Sequence, residues 1–354
     1  MVTRFIAGRT GRAGGTMTQS IRTASTLAEV AQAAGVSRST ASRALNNSPR
    51  ISEATKERVR KAAKKVNFVP NARGRALAVG RSETIAVLVT EPLSELFGDP
   101  TYSAFLCGIT EELSESSYLP VMLQASSPHE RDRVREHFKR RSFDAVIDVS
   151  PYEGSELLEV LRELGIPTVL CGQLEGHPYR NVFSTVYSDD EEGARFAAAA
   201  MRERGRQHVV AVLGPRDNPA VVDRVKGYRA IMGEALGDDC IVYTGWGGGD
   251  GYQAMRGLLR RHEPIDGVLC GSDRIACGVI AALDEAGLTV PDDVSVVGFD
   301  DHEIAERTMP PLTTVAQPLR EEGRMAAEVA LDLIEGAKPT TTIMHMRLVR
   351  RASL

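Results

Sequence analysis

Apolar positions change rhythm along this 354-residue chain. Near the N-terminus, Leu27, Val30, Ala31 and Ala34 fall at i, i+3, i+4 and i+7, which marks one face of a helix. Thr26 with Glu29 three residues later forms a capping box that starts it, and Gly35 can take the left-handed conformation that stops it. Ser37 caps a second predicted helix running to about Leu45. Ser52 caps a third, whose inner face is Val59, Ala62, Ala63 and Val66. A helix, a tight glycine turn and a second helix make a helix-turn-helix, and the third helix completes one small core.

From Thr84 onward the rhythm is different. Short apolar runs alternate with amphipathic stretches: Ile85–Val89, Pro120–Gln124, Ala145–Val149, Thr168–Cys171, His208–Leu213, Ile241–Tyr243, Gly267–Cys270 and Val294–Phe299, with Met346–Val349 as a last strand-like run. Helical segments such as Tyr102–Ser116, Ala220–Leu236 and Asp273–Ala286 lie between them. Buried strands alternating with helices imply parallel α/β sheets. So many strands over this length fit two lobes better than one doubly wound sheet. Between head and sensor lies Asn71–Gly80, preceded by Pro70. A helix so short is marginal alone in water, so its ordering is expected to be coupled to a partner.

Charge separates the same regions. Residues 1–82 carry 16 Lys and Arg against 3 Asp and Glu, whereas the rest carries 27 against 44. One end is therefore suited to phosphate and the other is not. The exposed positions predicted on the second helix, Arg38, Ser39, Ser42 and Arg43, are the types that read base edges in the major groove. Residues 1–25 read as a disordered basic tail without the apolar core of a signal peptide, and Met17 is an alternative start. No apolar run is long enough to span a membrane as a helix. The five cysteines show no Cys-x-x-Cys spacing and read as reduced thiols of a cytoplasmic protein.

Enzyme chemistry finds little support. Gly245–Gly251 lacks the Gly-Lys-Ser/Thr ending of a phosphate loop, no Gly-x-Ser-x-Gly elbow precedes a helix, and the seven histidines form no metal spacing. Neither a cofactor nor a metal is expected.

The chain resembles the LacI/GalR family of bacterial transcription regulators. The residues that carry the resemblance are Thr26-Leu27-Ala28-Glu29-Val30-Ala31, Ala34-Gly35-Val36-Ser37, Ser42-Arg43-Ala44-Leu45-Asn46 and Phe68-Val69-Pro70-Asn71. The resemblance implies an all-α helix-turn-helix head over 26–70 and a hinge helix over 71–82. It also implies a two-lobed sensor like periplasmic sugar-binding proteins, with parallel sheets and helices on both faces. One lobe would span 83–187 and 317–346, the other 188–316 and 347–354, with crossings near Tyr187, Val315 and Arg347. DNA contacts are implied for Thr26, Ser37, Arg38, Ser39, Thr40, Ser42, Arg43 and Asn46, and for Asn71, Arg75 and Leu77 of the hinge. Leu77 takes the place of a wedge between base pairs. Gly74 departs from the usual Ala, which weakens the hinge as a helix by about 1 kcal/mol.

The resemblance also implies effector contacts. Arg224, Trp246, Asp273 and Gln317 match the family's pocket pattern, with Phe97 as a second aromatic contact on a wall formed by Glu91–Pro100. Gln173 and Asp190 are weaker candidates. No arginine of the purine-responsive kind stands near Asn218, which favours a carbohydrate effector. The implied protein is a homodimeric repressor released from a palindromic DNA operator by that effector. Alternatives are a corepressor-dependent repressor or activator responding to a nucleobase or other metabolite, and a transport-type sugar-binding protein.

Overall fold

The computed structural model describes residues 25–68, 81–149, 151–152, 154–172, 174, 176, 178–261 and 263–354. The chain separates into two compact units, Met1–Gly80 and Arg81–Leu354.

The first unit contains α1 (Leu27–Ala34), α2 (Arg38–Leu45) and α3 (Glu53–Lys65). Each begins where a hydroxyl can take an orphaned backbone N–H: Thr26 for α1, Ser37 for α2 and Ser52 for α3. The capping box of α1 is complete, with the Thr26 N–H donating to Glu29 at 2.6 Å. Gly35 ends α1 at φ 63°, a conformation that a side chain would strain. The buried core is small and largely alanine: Val30, Ala31, Ala34, Ala41, Ala44, Val59, Ala62 and Ala63. Short side chains let three short helices approach closely, and partly buried Leu27, Leu45, Ile51, Val66 and Phe68 close the edges.

The second unit holds two sheets. In the first lobe, β1 (Thr84–Val89), β2 (Leu119–Gln124), β3 (Ala145–Asp148), β4 (Thr168–Cys171), β5 (Ser184–Ser188) and β11 (Thr341–Met344) form one sheet in the order β11-β5-β4-β3-β1-β2. Its pairings are all parallel. In the second lobe, β6 (Val209–Leu213), β7 (Ile241–Tyr243), β8 (Gly267–Cys270), β9 (Ser295–Asp300), β10 (Thr313–Ala316) and β12 (Arg347–Val349) run in the order β12-β10-β9-β8-β6-β7, with only β12 antiparallel.

Helices cover both faces of each sheet. The first lobe carries α4 (Leu93–Gly98), α5 (Pro100–Leu113), α6 (Pro128–Lys139), α7 (Glu156–Leu164) and α13 (Leu319–Ile334). The second carries α8 (Asp190–Glu203), α9 (Pro219–Met232), α10 (Gly248–Leu259), α11 (Asp273–Glu285) and α12 (Ile304–Arg307). Ile85, Val87, Ile147, Val169 and Ile109 fill one side of the first sheet, while Leu88, Val146, Leu157, Leu161 and Phe138 fill the other. Strands buried on both faces read as continuous apolar runs, which is why most were visible in the sequence.

The strands that were not predicted, β5, β10 and β11, are rich in Ser and Thr. Thr313 and Thr314 are fully buried in β10, where their polar groups bond to Arg351 and Asp273. β5 leads into α8, β10 into α13, and β11 into β12. The chain therefore changes lobe near 189, 317–318 and 345–346. The α5 and α13 backbones pack very closely. A Cβ at Gly108 would lie 2.0 Å from the Arg320 carbonyl oxygen, and one at Gly323 would lie 2.3 Å from that of Phe105.

Candidate functional site

On the head, α2 buries Ala41 and Ala44 and leaves Arg38, Ser39, Arg43 and Asn46 exposed. Ser37 accepts from the Thr40 N–H at 3.1 Å, and its hydroxyl lies 2.9 Å from that of Ser39 and 2.8 Å from that of Thr40. These hydroxyls thus fix the start of the helix. Thr26 does the same for α1. Ser42 is half-buried. Among the described residues, neither the Arg38 nor the Arg43 side chain has an ion-pair or hydrogen-bond partner. Basic neighbours on α3 are partly tied up instead: Lys56 pairs with Glu53 at 2.6 Å and Arg60 donates to Asn47 at 3.3 Å. The face of α2 therefore offers unneutralised guanidiniums beside small hydroxyls, chemistry suited to phosphate and base edges. Asn71, Arg75, Leu77 and Gly74 lie outside the described residues.

In the sensor, a cavity of about 680 Å³ lies between the lobes, beyond the carboxyl ends of the strands. Ligands of open α/β sheets bind there because the strand-to-helix loops converge. The first lobe contributes Tyr187 and Ser188 from the end of β5, together with Tyr102 and Tyr152. The second contributes Asp190, Arg224, Trp246, Arg274 and Asp300, while Gln317 stands in the crossing after β10.

Arg224, on α9, is the organising group. It is 4% exposed and lies with its guanidinium carbon 3.7 Å from the Phe299 ring centroid. Its Nε donates to Asp190 Oδ1 at 2.7 Å and its Nη1 to the Gly271 carbonyl at 2.5 Å. Its Nη2 stands 3.9 Å from Asp300 Oδ1. Such a cluster holds its geometry because each buried charge has a counter-charge. Burial raises the Asp190 carboxyl to about 6, with Arg224 pulling the other way. Burial also raises Asp300. Gln317 donates to Asp300 at 2.5 Å, which fixes that carboxylate toward the cleft. Asp300 sits at φ 106° and Asp301 at φ 59°, positions sparsely populated for side-chain-bearing residues. Such strain tends to persist where a loop positions functional groups.

Trp246 lies in the loop between β7 and α10. Its ring rests on Gly214, where a Cβ would approach within 2.4 Å of the indole. Glu322, on α13, is buried, accepts from the Ser188 hydroxyl at 2.6 Å and is pushed up to about 8 by burial. The lobes also touch at the cleft mouth. Arg274 Nη2 reaches Asp99 at 2.5 Å, and the Thr101 hydroxyl lies 3.2 Å from His302 Nε2.

The structure brings Arg224, Trp246 and Gln317 together on the cleft, along with Asp190. It does not bring Asp273. That residue is 0% exposed and turned away from the cavity, accepting from the His302 N–H at 2.8 Å and the Thr314 hydroxyl at 2.6 Å. Burial raises its carboxyl to about 8. Asp273 ties α11 to β10 and the loop after β9, and it is the neighbouring Asp300 that lines the cleft. The signal for Asp300 was its place at the end of an apolar strand, where α/β ligands collect. Phe97 is also displaced: it is 77% exposed and absent from the cavity wall, because α4 turns Leu96 inward instead. The rest of that wall does line the cleft through Glu91, Ser94, Gly98 and Asp99. Gln173 lies outside the described residues. Among the described residues no cluster of His, Cys, Asp and Glu could hold a metal ion, and no helix is long and apolar enough to cross a membrane.

Comparison with known proteins agrees with both halves. Residues 26–71 match the bacterial regulatory proteins of the lacI family, and residues 198–354 match a periplasmic binding protein-like domain. The HTH-type transcriptional regulator CelR of Thermobifida fusca is 34% identical over 333 residues, spanning 93% of this chain and 98% of the relative. A solved transcriptional regulator CelR-cellobiose complex is 33% identical, with a TM-score of 0.74 over 93% of this chain and 100% of that one. A lac repressor dimer, solved bound to operator and the anti-inducer ONPF, shares the fold at 23% identity, with a TM-score of 0.81 over 94% of this chain and 99% of that one. The chain belongs to the LacI family of bacterial regulatory proteins and is a DNA-binding regulator of transcription.

Proposed function

We propose that this LacI-family regulator is a homodimeric cytoplasmic repressor, bound to a near-palindromic operator and released when a carbohydrate fills the cleft between its lobes. The observation that carries the reading is the pairing in one chain of a helix offering Arg38 and Arg43, without ion-pair partners among the described residues, with a polar cleft of about 680 Å³ built on Arg224, Asp300, Gln317 and Trp246. Each head reads one half-site, so the two-fold axis of the dimer matches the operator. Carboxylate and amide oxygens of Asp300, Asp190 and Gln317 accept sugar hydroxyls, and Trp246 offers a flat face to a ring. The cellobiose bound to the 33%-identical regulator supports a carbohydrate in this position. The effector shifts the balance of lobe orientations by no more than its difference in affinity for the two.

Linkage makes the reading testable: operator must weaken effector binding by the factor with which effector weakens operator binding. Trp246 is the sole tryptophan and reports on the cleft. Its fluorescence is titrated with disaccharides, cellobiose first, with and without operator DNA, while anisotropy follows a labelled operator. A saturable change with matching operator release supports the proposal. Tightened operator binding would reverse the sign of the response. Intact operator binding with no response to any sugar, in fluorescence or in thermal shift, would remove the carbohydrate effector.

A further inference from the structure

We infer that the cleft takes an uncharged oligosaccharide and rejects phosphorylated or acidic sugars of the same size, an inference that rests on the carbohydrate reading above. Both guanidiniums of the described cleft are paired by the chain itself, and its helix N-termini carry side-chain caps or first-turn carboxylates. Seven acidic side chains line it, of which Glu322 is held protonated by burial, against two guanidiniums, Arg224 and Arg274. Arg224 is held by Asp190 and the Gly271 carbonyl, and its remaining Nη2 faces Asp300. Arg274 is held by Asp99 at 2.5 Å and reaches the Gly98 carbonyl at 3.4 Å. Both charges are thus paired, and Arg274 Nε, which has no hydrogen-bond partner among the described residues, is itself buried.

Helix N-termini are the other common anion receptors, because their first N–H groups lack partners. Those whose first residues line this cleft carry either a capping side chain or a first-turn carboxylate from the same chain; α13, which has no side-chain cap, carries Glu321 and Glu322 in its first turn. Asp99 accepts from Thr101 at the start of α5 at 2.9 Å. Asn218 accepts from Ala220 at 3.0 Å and from Val221 at 3.4 Å at the start of α9. α10 has no side-chain cap, and its first-turn Asp250 instead places a carboxylate at that end, accepting from the N–H of the preceding Gly247 at 3.0 Å. The carboxylates that remain are oriented as acceptors: Glu91 takes the Tyr152 hydroxyl at 2.6 Å, Glu322 takes Ser188, and Asp223 pairs with Lys226 at 2.8 Å. Burial pushes Asp190 and Glu322 up to about 6 and about 8, so this enclosure already resists further negative charge.

What is left suits neutral hydroxyls. Carboxylates and amide oxygens accept them, and aromatic rings from both lobes (Tyr102 and Tyr152 from one, Trp246 from the other) offer flat faces to sugar rings. A volume of about 680 Å³ exceeds what one ring fills and lies within the usual range for small-molecule sites.

The test is calorimetric titration of the full-length protein with cellobiose, lactose and maltose, each beside its 6′-phosphate. At least one neutral disaccharide is expected to saturate the protein, and its phosphate to bind about 100-fold or more weakly, since an uncompensated like charge costs several factors of ten. A phosphate that binds as tightly as its parent overturns the inference and leaves the carbohydrate reading intact. No binding by any sugar, neutral or charged, overturns the carbohydrate reading and this inference with it. Glu91→Gln keeps an acceptor for Tyr152 and removes one charge, so the discrimination should narrow several-fold. An unchanged gap would assign the rejection to shape and overturn the role of charge.

Discussion

The head and the cleft both depend on arginine, and they use it in opposite ways. Arg38 and Arg43 stand exposed on α2 with no carboxylate beside them among the described residues. Arg224 and Arg274 are largely buried, and each is locked to an aspartate. A guanidinium in water with no partner is free to meet the polyanion that the head must grip, and that attraction weakens with salt. A guanidinium that has already been neutralised acts as scaffold: it sets the angle of Asp190 and Asp300 and adds little net charge. The same residue type thus serves as a contact in one region and as a frame in the other, and the difference lies in its neighbours.

Removing the frame should cost most. Arg224→Ala leaves Asp190 and Asp300 buried without a counter-charge, so the sensor should lose about 3–5 kcal/mol of stability. Chemical denaturation would show it, and an unchanged midpoint would mean that Arg224 is not the organising group.

Glu322→Gln sharpens the comparison by removing a carboxylate that has no cationic partner. The folded chain holds the Glu322 proton up to about pH 8, whereas the unfolded chain releases it near its ordinary value of 4.5. Stability contributed by that proton is complete below pH 4.5 and is lost as pH rises through 8. The glutamine variant should therefore match the parent at pH 4.5 and exceed it by on the order of 3 kcal/mol at pH 9. Asp190 acts with the same sign over a narrower window, from 3.8 to about 6. A difference that stays flat with pH would show that Glu322 is not protonated in the fold.

Removing a contact should spare the fold. Arg43→Ala should leave the melting temperature unchanged, yet cost about 1–3 kcal/mol in affinity for operator over random DNA. Anisotropy at several salt concentrations separates the two kinds of binding, and full discrimination in the variant would exclude Arg43 from base reading. The smallest effect is expected at Ser37→Ala, which strips the cap of α2 and should destabilise the head by about 1 kcal/mol. Amide exchange in α2 would report it, and unchanged protection would show that Thr40 has found another partner.

The head was legible in the sequence because its signals are local. Thr26, Gly35, Ser37 and Ser52 announce helix ends within a few residues of where they act. The sensor's apolar strands were legible for the same reason. The serine- and threonine-rich β5 and β10 were not, since their burial depends on partners such as Asp273 and Ser353 that are remote in sequence. Asp273 and Asp300 show the limit most clearly. Both follow apolar strands and both are buried, and only the packing of β9 and β10 decides which one turns toward the cavity. Phe97 failed for want of length: a six-residue helix repeats too few positions to reveal its inner face.

The crossings near 189 and 317–318 carry a mechanical consequence. Ser188, Asp190, Gln317 and Glu322, which flank them, also form part of the cavity wall. The binding pocket is therefore built into the fulcrum about which the lobes would turn. An effector bound there would push close to the axis, where its contacts need to shift only slightly to register. Rotation grows with distance from that axis, so the greatest travel falls at the far tips of the lobes. Trp246, Tyr102 and Tyr152 sit outside the pivot. Substitutions among them should retune which effector is grasped while the leverage at Asp190 and Gln317 stays as it is.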